Sequence, residues 1–474
     1  MKNVRDLFVN GMLEIWSTKD SNRNLFMPGD GRYQPEELKP FLGYDQWASW
    51  LVIVEWFWLV TLAQIKVMPK EVAQLLTKER LIKLLRNITT TQQDAVEKET
   101  KHDIIALLQL MRQYLPKKLW PCLHLGATSY DIINTAYALQ AQQTFGCVFW
   151  PKLCEVDAIW RQKIAENATV IQEGRTHLQP ALPVTVGFWL AGLHNRFVSC
   201  ARNVQRLAQE IPGKFSGAVG TSAAQKALFG KTRGEDVILA MLDLPKAQVS
   251  TQITPPEPMS RYYLELALMS GVFGNLGEDI RLLQSHWVGE LVSASSSSST
   301  MAHKKANPIL AENICGMHVN ILAEVQKTLL TLVSDLQRDL RWSSVMRSQS
   351  AVMVYGFQQL KTAGRLLNGL AVNRPRCDEN FSKTDYVVMA ELLHLALQQQ
   401  GCEDSHQQVN QVIIPAAEKS RRSLAEEIVA CGVKIKTLKA WDKVPSRIVS
   451  LLKNPKRYLG EAIVIAKAEA ENVL

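Results

Sequence analysis

Several marks of large protein classes are missing from this 474-residue chain. Its eight cysteines (Cys122, Cys147, Cys154, Cys200, Cys315, Cys377, Cys402 and Cys431) include no CxxC pair. That excludes the usual zinc-ribbon and dithiol spacings, and thiols scattered among apolar residues predict buried cysteines in a reducing compartment. The opening MKNVRDLFVNGMLEIW has no continuous apolar core and no small-residue cleavage site, so no signal peptide is expected. The most apolar stretch, Trp47 to Ala63, carries Glu55 at its middle and falls short of the ~20 residues a membrane span requires. It predicts a buried core helix, no membrane association and a cytoplasmic protein. No basic stripe with interleaved aromatics occurs, so no nucleic-acid partner is expected. The surplus of 54 basic over 45 acidic residues, a net +9, fits attraction of an anionic small substrate. Alternating strand patterns are scarce as well.

What remains is helical spacing. In ILAENICGMHVNILAEVQKTLLTLVSDL, residues Ile314, Ile321, Val325, Leu329, Leu332 and Leu336 recur in steps of three, four and seven and predict one packed stripe. Long helices are also expected from Phe188 and from Ser350, which predicts an all-α fold with a central long-helix bundle. The main irregular stretches are NATVIQEGRTHLQPALPVTVG and KAQVSTQITPPEPM, both broken by Pro or Gly. Three helical domains are expected: an N-terminal domain at 1–127, the bundle at 128–372 and a C-terminal domain at 373–474.

Four polar clusters interrupt the pattern. EKETKHDI places His102 beside Asp103. In HLGATSYD, Ser129 or Thr128 caps the next helix, whose free N–H groups and hydroxyls would also seat a carboxylate or phosphate. For a lone Thr-Ser pair the cap is the first reading. GRTHLQPALP holds His177 in irregular backbone, where a structural role is the commoner one. The fourth, SASSSSSTMAHKKANP, runs from Ser293 to Pro308. A Ser-rich run alone reads as a polar linker. To act as a base, a serine needs nearby cations and oriented donors, which His303, Lys304, Lys305 and Asn307 could supply.

In this order, and on a helical background, the clusters resemble the fumarase/aspartase superfamily, whose signature G-S-S-x-M-P-x-K-x-N-P is similar to SSSTMAHKKANP. Within it the chain resembles the adenylosuccinate lyases, through GRYQPEEL, ETKHDI and the QRDLRWSSVMR of Gln337 to Arg347. The resemblance implies three helical domains, a homotetramer with active sites shared between subunits, and β-elimination of fumarate from a succinylated nucleotide, with no metal and no organic cofactor. Carried over, His177 would be the general acid and Ser298 the general base. Lys305 and Asn307 would stabilise the carbanion. Thr128 and Ser129 would hold a fumaryl carboxylate, and Gln252 would contact the succinyl part. Arg32, Tyr33, Arg338, Ser343 and Arg347 would grip the nucleotide. His102, with Lys101 and Asp103, would lie near the phosphate and orient His177.

The match has departures. Ser297 stands where the signature has Gly, Ala302 where it has Pro, and Ala306 is an extra residue before Asn307. The lysine position therefore falls on Lys304 or Lys305, and the serine register on Ser297, Ser298 or Ser299. The loop is expected to be a mobile catalytic one that closes over substrate. Other readings are an argininosuccinate lyase, a carboxymuconate cycloisomerase, or a catalytically silent helical scaffold.

Overall fold

The computed structural model describes residues 33–230, 233–293, 307–338, 341 and 343–474. Along the chain its principal helices begin with α1 (Gln46–Gln64), α2 (Thr90–Thr100), α3 (Asp103–Tyr114), α4 (Ser129–Thr144) and α5 (Trp150–Asn167). A hairpin of β1 (Ile171–Thr176) and β2 (Gln179–Thr185) follows, then α6 (Val186–Gln209) and α7 (Glu257–Gln284). After β3 (Leu291–Ser293) come α8 (Ile309–Leu330), α9 (Ser343–Ser348), α10 (Ala351–Asn368) and β4 (Leu370–Val372). Among the described residues the strands form two two-stranded antiparallel sheets, β1–β2 and β3–β4. The chain divides into two compact units, one of residues 1–154, 199–274 and 314–361, the other of 155–198, 275–313 and 362–474.

The first unit is built around α1, which is buried on almost its whole circumference, as an all-round apolar helix in a protein core should be. Running from Gln46 to Gln64, one residue further at each end than the apolar stretch, α1 is long and apolar enough to cross a membrane, contrary to the expectation from Trp47 to Ala63, but 83% of its most apolar window lies inside the protein. Trp58 on α1 donates its indole N–H to the Leu125 carbonyl at 2.9 Å and stacks on Phe215 with centroids 4.7 Å apart. Residue 234 must be glycine because a Cβ there would lie 2.8 Å from the Trp58 ring. Removing such a buried indole costs ~3–5 kcal/mol. Glu55, also on α1 and fully buried, meets His124 Nδ1 at 2.6 Å and so ties α1 to the turn leading into α4.

On α8, Ile314, Ile321 and Val325 are buried as the periodicity predicts, but Leu329, Leu332 and Leu336 are exposed. Leu329 falls in the exposed last turn of the helix, which ends at Leu330; the chain then turns, with Leu336 at φ +47°, so the spacing of Leu332 and Leu336 no longer maps onto one face. The cysteines also differ in part from expectation. Cys122, Cys377 and Cys402 are buried, whereas Cys147 is exposed and the other four are half-buried; no disulfide joins any of the eight.

In the second unit, Trp160 stacks on Phe197 with centroids 5.5 Å apart, beside a fully buried His194. His194 faces a carboxylate on each ring nitrogen: Asp157 at 3.0 Å and Glu469 at 2.7 Å. The last helix, Ala462–Ala470, is thereby fastened through its own Glu469 to α6, whose His194 also meets Asp157 of α5. A separate apolar cluster that includes Leu393, Leu397, Ile413, Leu424, Ile428 and Leu452 forms the core of the C-terminal helices.

Candidate active site

In the first unit the polar residues converge at three helix starts. Lys101 ends α2 in the left-handed region (φ +56°), and the chain turns at once into α3, with His102 as its N-cap. His102 Nδ1 accepts the Ile105 N–H at 3.5 Å. That leaves the proton of a neutral ring on Nε2, which faces Ser129 Oγ at 3.3 Å. Asp103 Oδ1 lies 3.3 Å from the same imidazole, and its Oδ2 is 3.9 Å from an Arg347 nitrogen. Lys101 itself is exposed.

Ser129 is the first residue of α4 and Thr128 its N-cap, so Thr128 is the cap and Ser129 offers a hydroxyl beside the open helix start. Asp131 secures this turn by accepting the Thr128 N–H at 2.8 Å and the Gly217 N–H at 3.2 Å. It also pairs with Lys214, and both side chains are fully buried. Burial holds the Asp131 carboxyl above its ordinary value even with the lysine beside it. His124, just upstream, is opposed by its burial, but the Glu55 charge and hydrogen bond outweigh that and hold its imidazole above the ordinary value.

Arg338 lies flat on the Tyr130 ring, its guanidinium carbon 3.2 Å from the centroid, and donates to Gln252 Oε1 at 3.1 Å. Such a stacked, planar cation is a role lysine cannot fill. A recess opens here, lined by Tyr130, Asn134, Tyr137, Met259, Arg338 and Ser343 among others. A second is bordered by Trp47, Asp94, Glu97, Asp103, Tyr137 and Arg347. Tyr137 belongs to both and stacks on Trp47 at 4.3 Å. Burial raises the Asp94 carboxyl; burial and then the Asp103 charge raise that of Glu97. Ser343 and Arg347 are four apart on α9, with one residue lining each recess. Helix N–H groups, hydroxyls, His102 and two arginines thus gather in one unit, a donor set suited to a polyanion.

Within the second unit, His177 sits at the tip of the β1–β2 hairpin rather than in the irregular backbone expected from its sequence. The two residues between the paired Thr176 and Gln179 are His177 (φ +54°) and Leu178 (φ +61°). Both central φ values are positive, the I′-type geometry that the strand twist selects and that Asn-Gly normally fills. Non-glycine residues held there cost about 1–3 kcal/mol each, and such strain concentrates at functional sites. Both are exposed, Leu178 by 68%. A bulge at Gly174 completes the hairpin, where a Cβ would lie 2.4 Å from the Leu182 carbonyl oxygen.

Of the other expected residues, Tyr33 is half-buried at the first described position, and Asn307 is half-buried with its carbonyl accepting the Ile309 N–H at 2.8 Å. Arg32, Ser298 and Lys305, with the loop register, the alternatives Ser297, Ser299 and Lys304, and the expected loop closure, lie outside the described residues. The sequence reading missed Lys214, Asp131, Tyr130 and Tyr137. A usable signal was GKFSGAVGTS, a lysine ahead of glycines at φ +80° (Gly217) and φ +83° (Gly220). Among the described residues no cluster of three or more His, Cys, Asp or Glu side chains is placed to hold a metal ion.

Residues 61–323 match the model of a lyase family. The chain is 30% identical to the adenylosuccinate lyase of Pyrococcus horikoshii, covering 94% of this chain and 97% of that protein. It is 29% identical to that of Archaeoglobus fulgidus, over 92% and 96%. Among solved structures, a fumarate lyase from Mesorhizobium sp. BNC1 superposes with a TM-score of 0.78 at 22% identity, covering 94% of this chain and 100% of the other. The 3-carboxy-cis,cis-muconate lactonizing enzyme of Pseudomonas putida does so with 0.78 at 21%, over 93% and 98%. At those identities the two structures speak for the fold alone, which is the all-α, fumarase-like one.

Proposed function

The chain belongs to the lyase family, and from that premise we propose that it cleaves adenylosuccinate to AMP and fumarate in purine nucleotide biosynthesis. The same β-elimination from the succinyl-carboxamide ribotide would give AICAR. The observation that carries this reading is the full-length similarity to adenylosuccinate lyases, 30% identity over 94% of the chain for one of them. The donor set around α4 and α9 supports it, because the substrate brings carboxylates and a phosphate.

In the proposed mechanism Ser298 removes a proton from the succinyl carbon next to the C–N bond. The electron pair left behind spreads into the adjacent carboxylate, where Lys305 and Asn307 stabilise it. That pair then forms the C=C bond of fumarate as the C–N bond breaks, and His177 delivers a proton to the leaving nitrogen. Thr128 and Ser129, at the open start of α4, hold a carboxylate of the succinyl group, and Gln252 contacts the same part. Arg338, Ser343 and Arg347, with Arg32 and Tyr33, hold the nucleotide. His102 with Lys101 and Asp103 lies by the phosphate and orients His177. We further propose a cytoplasmic homotetramer in which subunits complete one another's sites.

The test is fumarate release from adenylosuccinate by the purified protein, with argininosuccinate and carboxymuconate as controls. Release from adenylosuccinate alone, abolished by Ser298→Ala in an intact oligomer, is the expected result. Release from a control substrate instead, or from none, would overturn the reading. Near-normal turnover by Ser298→Ala would move the base elsewhere.

A further inference from the structure

The strained tip that carries His177 has its anchor deeper in the same unit. Glu290 is fully buried, and its two oxygens accept four hydrogen bonds. Arg175 contributes two, from Nη1 at 3.0 Å and Nη2 at 2.5 Å, a forked geometry that fixes orientation as well as distance. Gln172 Nε2 and Asn380 Nδ2 add one each, both at 2.9 Å. Arg175 and Gln172 are both on β1, and Arg175 is two residues from His177. Glu173 closes the arrangement, lying 3.1 Å from the Arg175 guanidinium and accepting the Thr384 hydroxyl. Although burial works against the Arg175 charge, the Glu290 hydrogen bonds and charge hold its proton more firmly than usual. Burial and then the Glu290 charge push the nearby Cys377 thiol up to about 12.

The backbone of Glu290 is held too. Its carbonyl accepts the Asn373 N–H at 2.8 Å, and the next three residues are β3, paired with β4. Ser293 ends that strand. One buried carboxylate is thus bonded through its side chain to the hairpin bearing the acid and is joined through its main chain to β3.

We propose that Glu290 is a positioning residue for the elimination: clamped by Arg175, it holds the His177 hairpin in a single register against β3. The proposal rests on the role given above to His177. Neither Glu290 nor Arg175 touches substrate in this scheme. A carboxylate suits the task because all four incoming groups are donors. An amide would turn a donor of its own toward them.

Glu290→Gln is the direct test, read in two ways. In turnover, kcat should fall about 100-fold, the scale of a misplaced reacting group, while KM stays within about threefold. In amide exchange, the segment 171–185 should exchange faster than in the unaltered protein, a readout that needs no substrate. If the unaltered protein fails to act on adenylosuccinate, the functional reading falls while the exchange result still decides the anchor. Adding Leu178→Gly relieves the strain at the tip and should restore part of the kcat lost in Glu290→Gln. A merely structural role in folding would give no such rescue. Unchanged kcat and unchanged exchange in Glu290→Gln would overturn the proposal. Should that variant not fold, Thr384→Val, which removes only the hydroxyl on Glu173, takes its place: lower kcat with faster exchange of 171–185 supports the anchor, and no change in either overturns it.

Discussion

Lys214→Met removes the cation from a pair in which both side chains are fully buried. The Asp131 carboxylate left behind keeps the Thr128 and Gly217 N–H groups but loses its counter-charge. Breaking a buried pair from one side costs ~3–5 kcal/mol, because the remaining charge is desolvated and uncompensated. The cost depends on pH in a fixed direction. Burial already holds Asp131 above its ordinary 3.8 with the lysine present, and without it the native value rises further. A carboxyl that binds its proton more tightly when folded makes stability fall as pH rises from 3.8 through the native value. Lys214→Met should therefore be least stable, relative to the unaltered protein, at neutral and higher pH. The gap should narrow by about 1.4 kcal/mol per pH unit once the pH falls below the new native value. Urea unfolding across a pH series measures this. The double variant Asp131→Asn with Lys214→Met should recover much of the loss at neutral pH, since no buried charge remains. Equal instability of the single and double variants, or a gap that does not change with pH, would refute the argument. Because Asp131 also holds the Thr128–Ser129 turn, KM should rise in Lys214→Met even where the protein is folded.

Three further outcomes follow from the same geometry. Arg338→Lys keeps the charge but loses the plane that lies on Tyr130 and one fixed donor to Gln252; KM for the nucleotide should rise about tenfold or more with a smaller change in kcat, measured by fumarate release. His124 has a native value above 6.5, so its bond to Glu55 contributes stability that is complete below pH 6.5 and is lost as pH rises through that native value. His124→Gln should accordingly cost about 1.5–3 kcal/mol in mildly acidic buffer and less in alkaline buffer, as read by thermal unfolding. Asp157 behaves oppositely: burial would raise it, but hydrogen bonds from His194 and Arg161 hold it below 3.8. Its stabilisation is present above 3.8 and is lost as pH falls through the lower native value, so Asp157→Asn should flatten the acid limb of the unfolding profile.

The all-α class was legible because it rests on local spacing. Trp47 to Ala63 has so few polar residues that a helix there must be buried all round, and α1 is. The stripe on α8 was legible through Val325 and misleading beyond it, since the same steps of three and four ran on past the end of the helix at Leu330. The polar segments at His102, Thr128 and Arg338 stood out as interruptions, and the structure gathers them in one unit. His177 also stood out, but its turn did not. His-Leu lacks the residues that favour positive φ, and so nothing local announced a hairpin.

By itself, then, the sequence determined the helices, the buried α1 and the short polar segments that carry chemistry, because each depends on neighbours three or four positions away. Tertiary structure alone decided the pairs that hold those segments in place. Asp131 and Lys214 are 83 residues apart, Gln252 and Arg338 86, and Arg175 and Glu290 115. No spacing rule links residues so distant. Each pairing depends on burial, which makes an unmatched charge or donor costly, and burial exists only once the helices have packed.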